Sequence, residues 1–285
     1  MFLFSNDLGV DLGTSNVLIY ADGKGLVVRE PCVVAVDKNT GKILQVGAAA
    51  RNMLGRTPGN VVAMKPLKDG IISDHEMTVR MLQEMFKTAT KASLFTPKPR
   101  VVISVPSGVT EVEERSVINA AIEAGARRVF LIEEPLAAGL GAGLDIRGAS
   151  GHLVVDIGGG TTGLAVFRDG KVVQTEDEPT GGTHLSLVLA GNYHISFEEA
   201  EKIKQDYSRH KEIMPVVRPV VEKMATIVTK YVKPEEADTI YLCGGTCCLT
   251  GIEAVFEKVT GIHTVKPADP FLVTPAGIAI NCVLP

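Results

Sequence analysis

Basic charge is in short supply in this chain of 285 residues: 29 Lys and Arg stand against 33 Asp and Glu, for a formal net charge of −4, and there is no tryptophan. Such a composition gives no electrostatic pull toward a phosphodiester backbone, so nucleic acid is not expected as a partner. Long apolar runs are missing as well. None approaches the roughly 20 residues that a membrane-spanning helix needs. Cysteine is sparse and unpaired in pattern: Cys32, Cys243, Cys247, Cys248 and Cys282 form neither a disulfide framework nor a C-x-x-C metal set,. They read as small buried apolar residues, and with no signal peptide at the start a reducing cytoplasm is the expected compartment.

What the chain does have is 45% hydrophobic residues over a length that suits two domains,. "LGVDLGTSNVLIYADGKGLVV" reads as strand, tight Gly turn, strand, Asp-Gly-Lys turn, strand,. "LVVDIGGGTTGLAVFRDGKVVQTE" repeats that plan, with Asp156 on Asp11 and Gly158 on Gly13. Hairpin, turn chemistry and following strand all recur, which identifies an internal duplication.

Helices follow in both halves. Met77, Met81, Leu82, Met85 and Phe86 fall at helical spacing, and Thr110 with Glu113 forms a capping box for a helix that Gly125 stops,. "ARRVFLIEEP" is expected as a buried strand ending at Glu133 and Glu134, and "LAAGLGAGL" as a closely packed small-residue helix. Ser196 with Glu199 forms a second capping box. Val216, Val217, Val220, Val221, Met224, Ile227, Val228 and Val232 make one helical stripe, whose first turn Pro219 is expected to mark,. "TIYLCGGTCCLTGIEAVFEKVTG" then runs strand, Gly-Gly turn, helix.

Gly turns at strand ends, at 13, at 158–160 and at 244–245, suit a polyphosphate, because bare backbone lets N–H groups approach its oxygens,. Thr14, Ser15, Asn16, Thr161 and Thr162 add neutral donors. Asp11 and Asp156 would repel phosphate directly, and make sense with a hydrated Mg2+ between. Taken singly each turn could be a hairpin bulge; taken together they point to a nucleotide. No G-x-x-x-x-G-K-[ST] and no G-x-G-x-x-G after a first strand is present, so the P-loop and dinucleotide folds recede,.

As a set these motifs resemble the actin-like and DnaK-type ATPase superfamily. "GVDLGTSNVLIY" is similar to its first phosphate motif, "VVDIGGGTTGLAVF" to its second, "LCGGTCCLTGI" to its adenosine motif, and "IEEPLAAGLGAG" to its connecting segment. The resemblance implies an α/β, duplicated ribonuclease-H-like fold with two domains around a nucleotide cleft, ATP and Mg2+ as cofactors, and slow hydrolysis to ADP and phosphate. The expected domains are 1–148, with a small subdomain inserted at about 29–64, and 149–285. Position by position it implies that Asp11 and Asp156 hold magnesium through water. Gly13, Thr14, Ser15, Asn16, Gly158, Gly159, Gly160, Thr161 and Thr162 would cradle phosphate, and Gly182 is a further cofactor-binding position. Glu134, rather than Glu133, would position the attacking water. Glu201 and Lys204 would meet ribose and adenine, and Gly244, Gly245 and Thr246 the adenosine.

Up to about residue 165 the chain resembles the bacterial cytoskeletal MreB family, in "REPCVVAV", "MLGRTPGNVVAMKPLKDGIISD" and "VFLIEEP". In that family apolar segments contact membrane, which implies such a role for Phe2, Leu3, Phe4, Leu94 and Phe95. From about residue 176, "DEPTGGTHLSLVLAGNYHISFEEAEKIK" and "PVVRPVVEKMA" resemble the ethanolamine-utilisation protein EutJ. Only about 60 residues separate Gly182 from Gly244, so the small subdomain of the second half is expected to be missing or reduced. That difference favours a nucleotide-driven switch of the EutJ kind, a chaperone or reactivating factor for a microcompartment enzyme, cytoplasmic or microcompartment-associated. The alternative is an MreB-like protein forming filaments on the inner membrane face.

Overall fold

A computed structural model of the chain describes residues 7–21, 23–53, 59–68, 70–91, 97–144, 151–169 and 171–283. Phe2, Leu3, Phe4, Leu94 and Phe95 lie outside the described residues. Two compact units are present: residues 1–105, 109–133 and 278–285 in the first, 106–108 and 134–277 in the second.

In the first unit β1 (Leu8–Leu12), β2 (Asn16–Ala21) and β3 (Gly25–Pro31) form an antiparallel meander. β4 (Val34–Asp37), β5 (Ile43–Val46), α1 (Ala48–Arg51) and β6 (Val61–Met64) build a separate three-stranded sheet over its own small core of Val33, Ala35, Ala50 and Val61. It occupies the stretch expected to hold the small subdomain. A short hairpin, β7 (Leu67–Lys68) and β8 (Ile71–Ile72), leads to α2 (His75–Thr90). β9 (Arg100–Val105), α3 (Glu111–Glu123) and β10 (Arg128–Glu133) then add two parallel strands, giving the order β10-β9-β1-β2-β3.

The helix signals hold. Asp74 caps α2 by accepting the Met77 N–H at 3.0 Å,. Met77, Met81, Leu82, Met85 and Phe86 are all buried against the sheet residues Val10, Ile19, Val101 and Ile103. Burying each such side chain stabilises the fold by roughly 1.5–3 kcal/mol. The Thr110–Glu113 box closes in both directions, at 3.3 Å and 2.7 Å.

The second unit opens with α4 (Glu134–Gly141), whose small residues let it pack closely: a Cβ on Gly139 would sit 2.7 Å from the Phe167 ring. β11 (His152–Ile157), β12 (Thr162–Arg168) and β13 (Lys171–Glu178) form the second meander, followed by α5 (Gly182–Tyr193) and α6 (Phe197–Gln205). After a 3-10 turn at Tyr207–Arg209 come α7 (His210–Tyr231), β14 (Thr239–Cys243), a 3-10 turn at Gly245–Cys248, α8 (Ile252–Thr260), β15 (His263–Val265) and α9 (Val273–Val283). The sheet order is β13-β12-β11-β14-β15. Read from its other edge it repeats the first sheet: two parallel strands, then an antiparallel meander. One face packs on α5, α7 and α8 through Leu153, Val155 and Ile157, and the other on α4 and the start of α9 through Val154, Ala165 and Phe167.

Register makes the duplication concrete. Four residues turn between the pairs Leu12↔Val17 and Ile157↔Thr162. In each meander a bulge interrupts the second ladder, after Ile19 in one and Val166 in the other. The second hairpin therefore runs two residues further before its bulge, one full pleat, which keeps every side chain on its face.

One expectation is corrected. α7 does not begin at Pro219: it starts at His210 and holds both Pro215 and Pro219 inside it. Each proline removes an intrahelical N–H, but Ile213, Val217, Val221, Met224 and Val228 bury one continuous stripe, and that burial keeps the helix intact. Its start is fixed from outside by the buried His210 ring, which accepts the Thr250 N–H on Nδ1 at 3.0 Å and donates from Nε2 to the Lys204 carbonyl at 3.0 Å.

Candidate functional site

In the first unit, Gly13 to Asn16 form the β1–β2 turn, and a Cβ on Gly13 would stand 2.9 Å from the Asn16 carbonyl oxygen. Thr14 accepts the Gly70 N–H at 2.7 Å, which ties the turn to the loop before β8. The hydroxyl keeps its own proton to donate. The Ser15 carbonyl takes the Cys32 N–H at 3.0 Å. Asp11 is half-buried on β1, paired with Leu18.

The second unit gathers most of its expected residues by direct contact. The Gly158 carbonyl accepts the Gly182 N–H at 2.9 Å and the Thr246 hydroxyl at 2.7 Å, and the Gly159 carbonyl accepts the Thr183 N–H at 2.8 Å. The 158–161 turn, the first turn of α5 and the 244–246 turn are thereby one cluster. The C=O and N–H of a trans peptide point in opposite directions. With the Gly158 and Gly159 carbonyls drawn onto α5, the N–H groups of Gly159 and Gly160 face away from it, as an anion cradle requires.

Lys204, on α6, reaches the same cluster. Its Nζ donates to the Gly182 carbonyl at 2.9 Å and pairs with Glu201, which also receives the Ser186 hydroxyl and, at 3.1 Å, the Gln205 amide. Burial alone would raise the Glu201 carboxyl, but the Lys204 ammonium and these donors hold it below its ordinary value. Glu201 and Lys204 thus form a charged, pre-set pair beside the first turn of α5. Gly245 lies under the Phe271 ring, 3.1 Å from where a Cβ would be.

Asp156 is buried on β11, and Thr274 of α9 donates its hydroxyl to it. Burial pushes its carboxyl above the ordinary value, against the pull of that hydroxyl. Glu134 is the first residue of α4, half-buried, close enough to Cys243 to bear on its thiol. Glu133 ends β10 in the first unit and is exposed. Thr162 differs from expectation: it is fully buried and its hydroxyl donates to the Thr180 carbonyl at 2.6 Å. That hydroxyl clamps two segments of the unit together and does not face a ligand. The buried thiols Cys32, Cys243 and Cys247 all have their pKa raised by desolvation, Cys32 to about 12, as expected of inert core residues,.

One residue of this cluster escapes sequence reading. Asp177 on β13 pairs with Gly163, which pairs with Asp156, so the three stand in one row across the sheet and project to one face,. Asp177 accepts the Ser107 N–H at 3.2 Å, while its Oδ1 is buried without a hydrogen-bond partner. Burial raises its pKa from 3.8 to about 6, with Asp156 adding to the rise and the Ser107 N–H opposing it. A carboxyl raised on folding favours the native state most below its unfolded pKa, and that contribution is lost as pH climbs through about 6,. Asp177→Asn should therefore be more stable than the parent by a margin that grows as pH rises from about 4 through about 6 and levels off at roughly 3 kcal/mol above pH 7,. Urea unfolding of both proteins without nucleotide checks this, and a margin that does not change with pH would contradict it.

A sequence profile of the MreB/Mbl protein family matches residues 5–211. The chain belongs to the MreB/Mbl family. A profile of the type IV pilus assembly protein PilM also matches residues 147–278. The cell shape-determining protein MreB of Escherichia coli K12 is 46% identical over 314 aligned positions, covering 94% of this chain and 90% of that protein. Cell shape-determining protein Mbl of Bacillus cereus is 50% identical over 187, covering 66% of this chain and 56% of Mbl. The chain thus spans little more than half the length of that curated relative.

Among solved structures, MreB5 of Spiroplasma citri bound to AMPPNP superposes with a TM-score of 0.86 at 30% identity, covering 96% of this chain and 94% of that one. EutJ of Carboxydothermus hydrogenoformans gives 0.69 at 36% identity, covering 96% and 89%. The actin-like fold and the double resemblance to MreB and EutJ hold. The EutJ-type chaperone role does not. The curated relatives are cell shape-determining proteins, and MreB5 matches the whole chain more closely in shape than EutJ does. Among the described residues no helix is long and apolar enough to cross a membrane.

Proposed function

We propose that the chain is an MreB-type protein that binds ATP and self-associates into filaments in a nucleotide-dependent way, with slow hydrolysis resetting it. The observation that carries this is the clustering in the second unit, where the 158–161 turn, the first turn of α5, Lys204 and Thr246 are joined by direct hydrogen bonds. The same fold in Spiroplasma citri MreB5 was solved with AMPPNP and with ADP. Gly159 and Gly160 would give backbone donors to phosphate, Glu201 and Lys204 would meet the ribose and base, and Glu134 would orient water. By the resemblance, Gly13 to Asn16 of the first unit would also give donors to phosphate, and Asp11 would hold magnesium through water.

Magnesium fits as a hydrated ion. Among the described residues no three His, Cys, Asp or Glu side chains gather as a direct metal site, but Asp156, a buried carboxylate near the end of β11, suits an ion held through its waters,. When bound, it would neutralise the charge that develops on the phosphates.

Negative-stain microscopy of the pure protein tests the reading: filaments are expected with Mg-ATP and absent without nucleotide. Protein that binds nucleotide yet stays unassembled would overturn it. Membrane contact is proposed for Phe2, Leu3, Phe4, Leu94 and Phe95. Replacing Leu94 and Phe95 by Ser should leave hydrolysis unchanged and remove most flotation with anionic liposomes; undiminished flotation would discard the loop as an anchor.

A further inference from the structure

The mechanism so far uses one acid of the second unit's sheet, Asp156, while a second stands two strands away on the same face. Asp156, Gly163 and Asp177 share one register across β11, β12 and β13. Glycine at the centre leaves open the space between the two carboxyl groups: a Cβ at 163 would already meet the Asp177 carboxylate at 3.5–3.6 Å. The duplicated row of the first unit reads Asp11, Leu18, Arg29. There the centre is filled by a buried leucine and the third position is a cation. Acid, gap, acid is thus specific to the second unit.

Asp177 is also held in place. Ser107 of the same unit gives it a backbone N–H, and one oxygen is left buried with no hydrogen-bond partner. A buried unpartnered carboxylate oxygen costs the native state free energy unless something polar meets it when the site is filled.

We propose that Asp177 is a positioning residue of the nucleotide site: through its unpartnered oxygen it takes a water of the nucleotide-bound magnesium ion. This rests on the proposed nucleotide site and deepens it. Asp156 and Asp177 would then both hold waters of the ion, one on either side of Gly163 in the same register.

The test is the affinity of the full chain for a fluorescent ATP analogue, measured in EDTA and in excess Mg2+, for the parent and for Asp177→Asn. Asparagine keeps an acceptor for Ser107 and removes the charge. Expected is equal binding in EDTA, about a tenfold tightening by Mg2+ in the parent, and little or none in the variant. Equal tightening in both would overturn the role of Asp177 while leaving the site itself standing. A variant that melts lower than the parent and binds more weakly in EDTA too would show a merely structural residue, and would also overturn it. A parent that binds no nucleotide under either condition would remove the site and this inference together.

Discussion

Asp156→Ala is expected to abolish magnesium-dependent nucleotide binding, with affinity falling by about a hundredfold or more in calorimetric titration. The side chain sits at the C-terminal end of a central parallel strand, where the sheet hands over to the 158–161 turn. Thr274 fixes its orientation, and burial makes the ionised form costly in the free protein. A carboxylate kept in such a place serves something that compensates its charge. Removing it also deletes a buried acid, so the nucleotide-free variant should melt within a few degrees of the parent. Affinity that changes less than threefold would show that Asp156 faces no magnesium–nucleotide complex.

Gly244→Ala should be damaging in both respects. Gly244 adopts φ 89°, which costs a residue with a Cβ about 1–2 kcal/mol,. The added methyl would also meet the Asp156 carboxylate and stand 2.5 Å from the Ile157 carbonyl oxygen. The Gly244 N–H is held by the Pro270 carbonyl at 2.9 Å, so the turn cannot swing away without losing a hydrogen bond. A loss of roughly 3 kcal/mol or more is expected in urea unfolding, together with loss of nucleotide binding. Gly191→Ala is the control. That position lies in α5 with nothing within 4 Å of a new methyl, and alanine there should be neutral or stabilising by up to about 1 kcal/mol. Equal losses in the two variants would mean that Gly244 has no special constraint.

How far the sequence could be read depended on how local each cause was. The two Gly hairpins, the capping boxes at Thr110 and Ser196 and the α2 stripe are settled within a few residues, and each forms as its spacing implies. Pro219 misled because a proline is a local signal, whereas the start of α7 is fixed by His210 reaching residues 204 and 250. Thr162 looked like a phosphate donor beside Thr161, but alternation along β12 turns it inward to Thr180,. Asp177 and Thr274 meet the Asp156 neighbourhood only through sheet register and a contact 118 residues long, and no motif announces either. The EutJ reading failed for a related reason. The motifs of the second half and the short stretch between Gly182 and Gly244 are local features, whereas the likeness to MreB runs over the whole chain.

The central claim is that nucleotide binding in this fold drives assembly of the chain with itself. Sedimentation of the pure protein across a concentration series, with Mg-ATP and with EDTA, tests it most directly. The account predicts a critical concentration in Mg-ATP, above which all added protein pellets, and no pellet in EDTA. Protein that remains in the supernatant at every concentration while bound to nucleotide would contradict it.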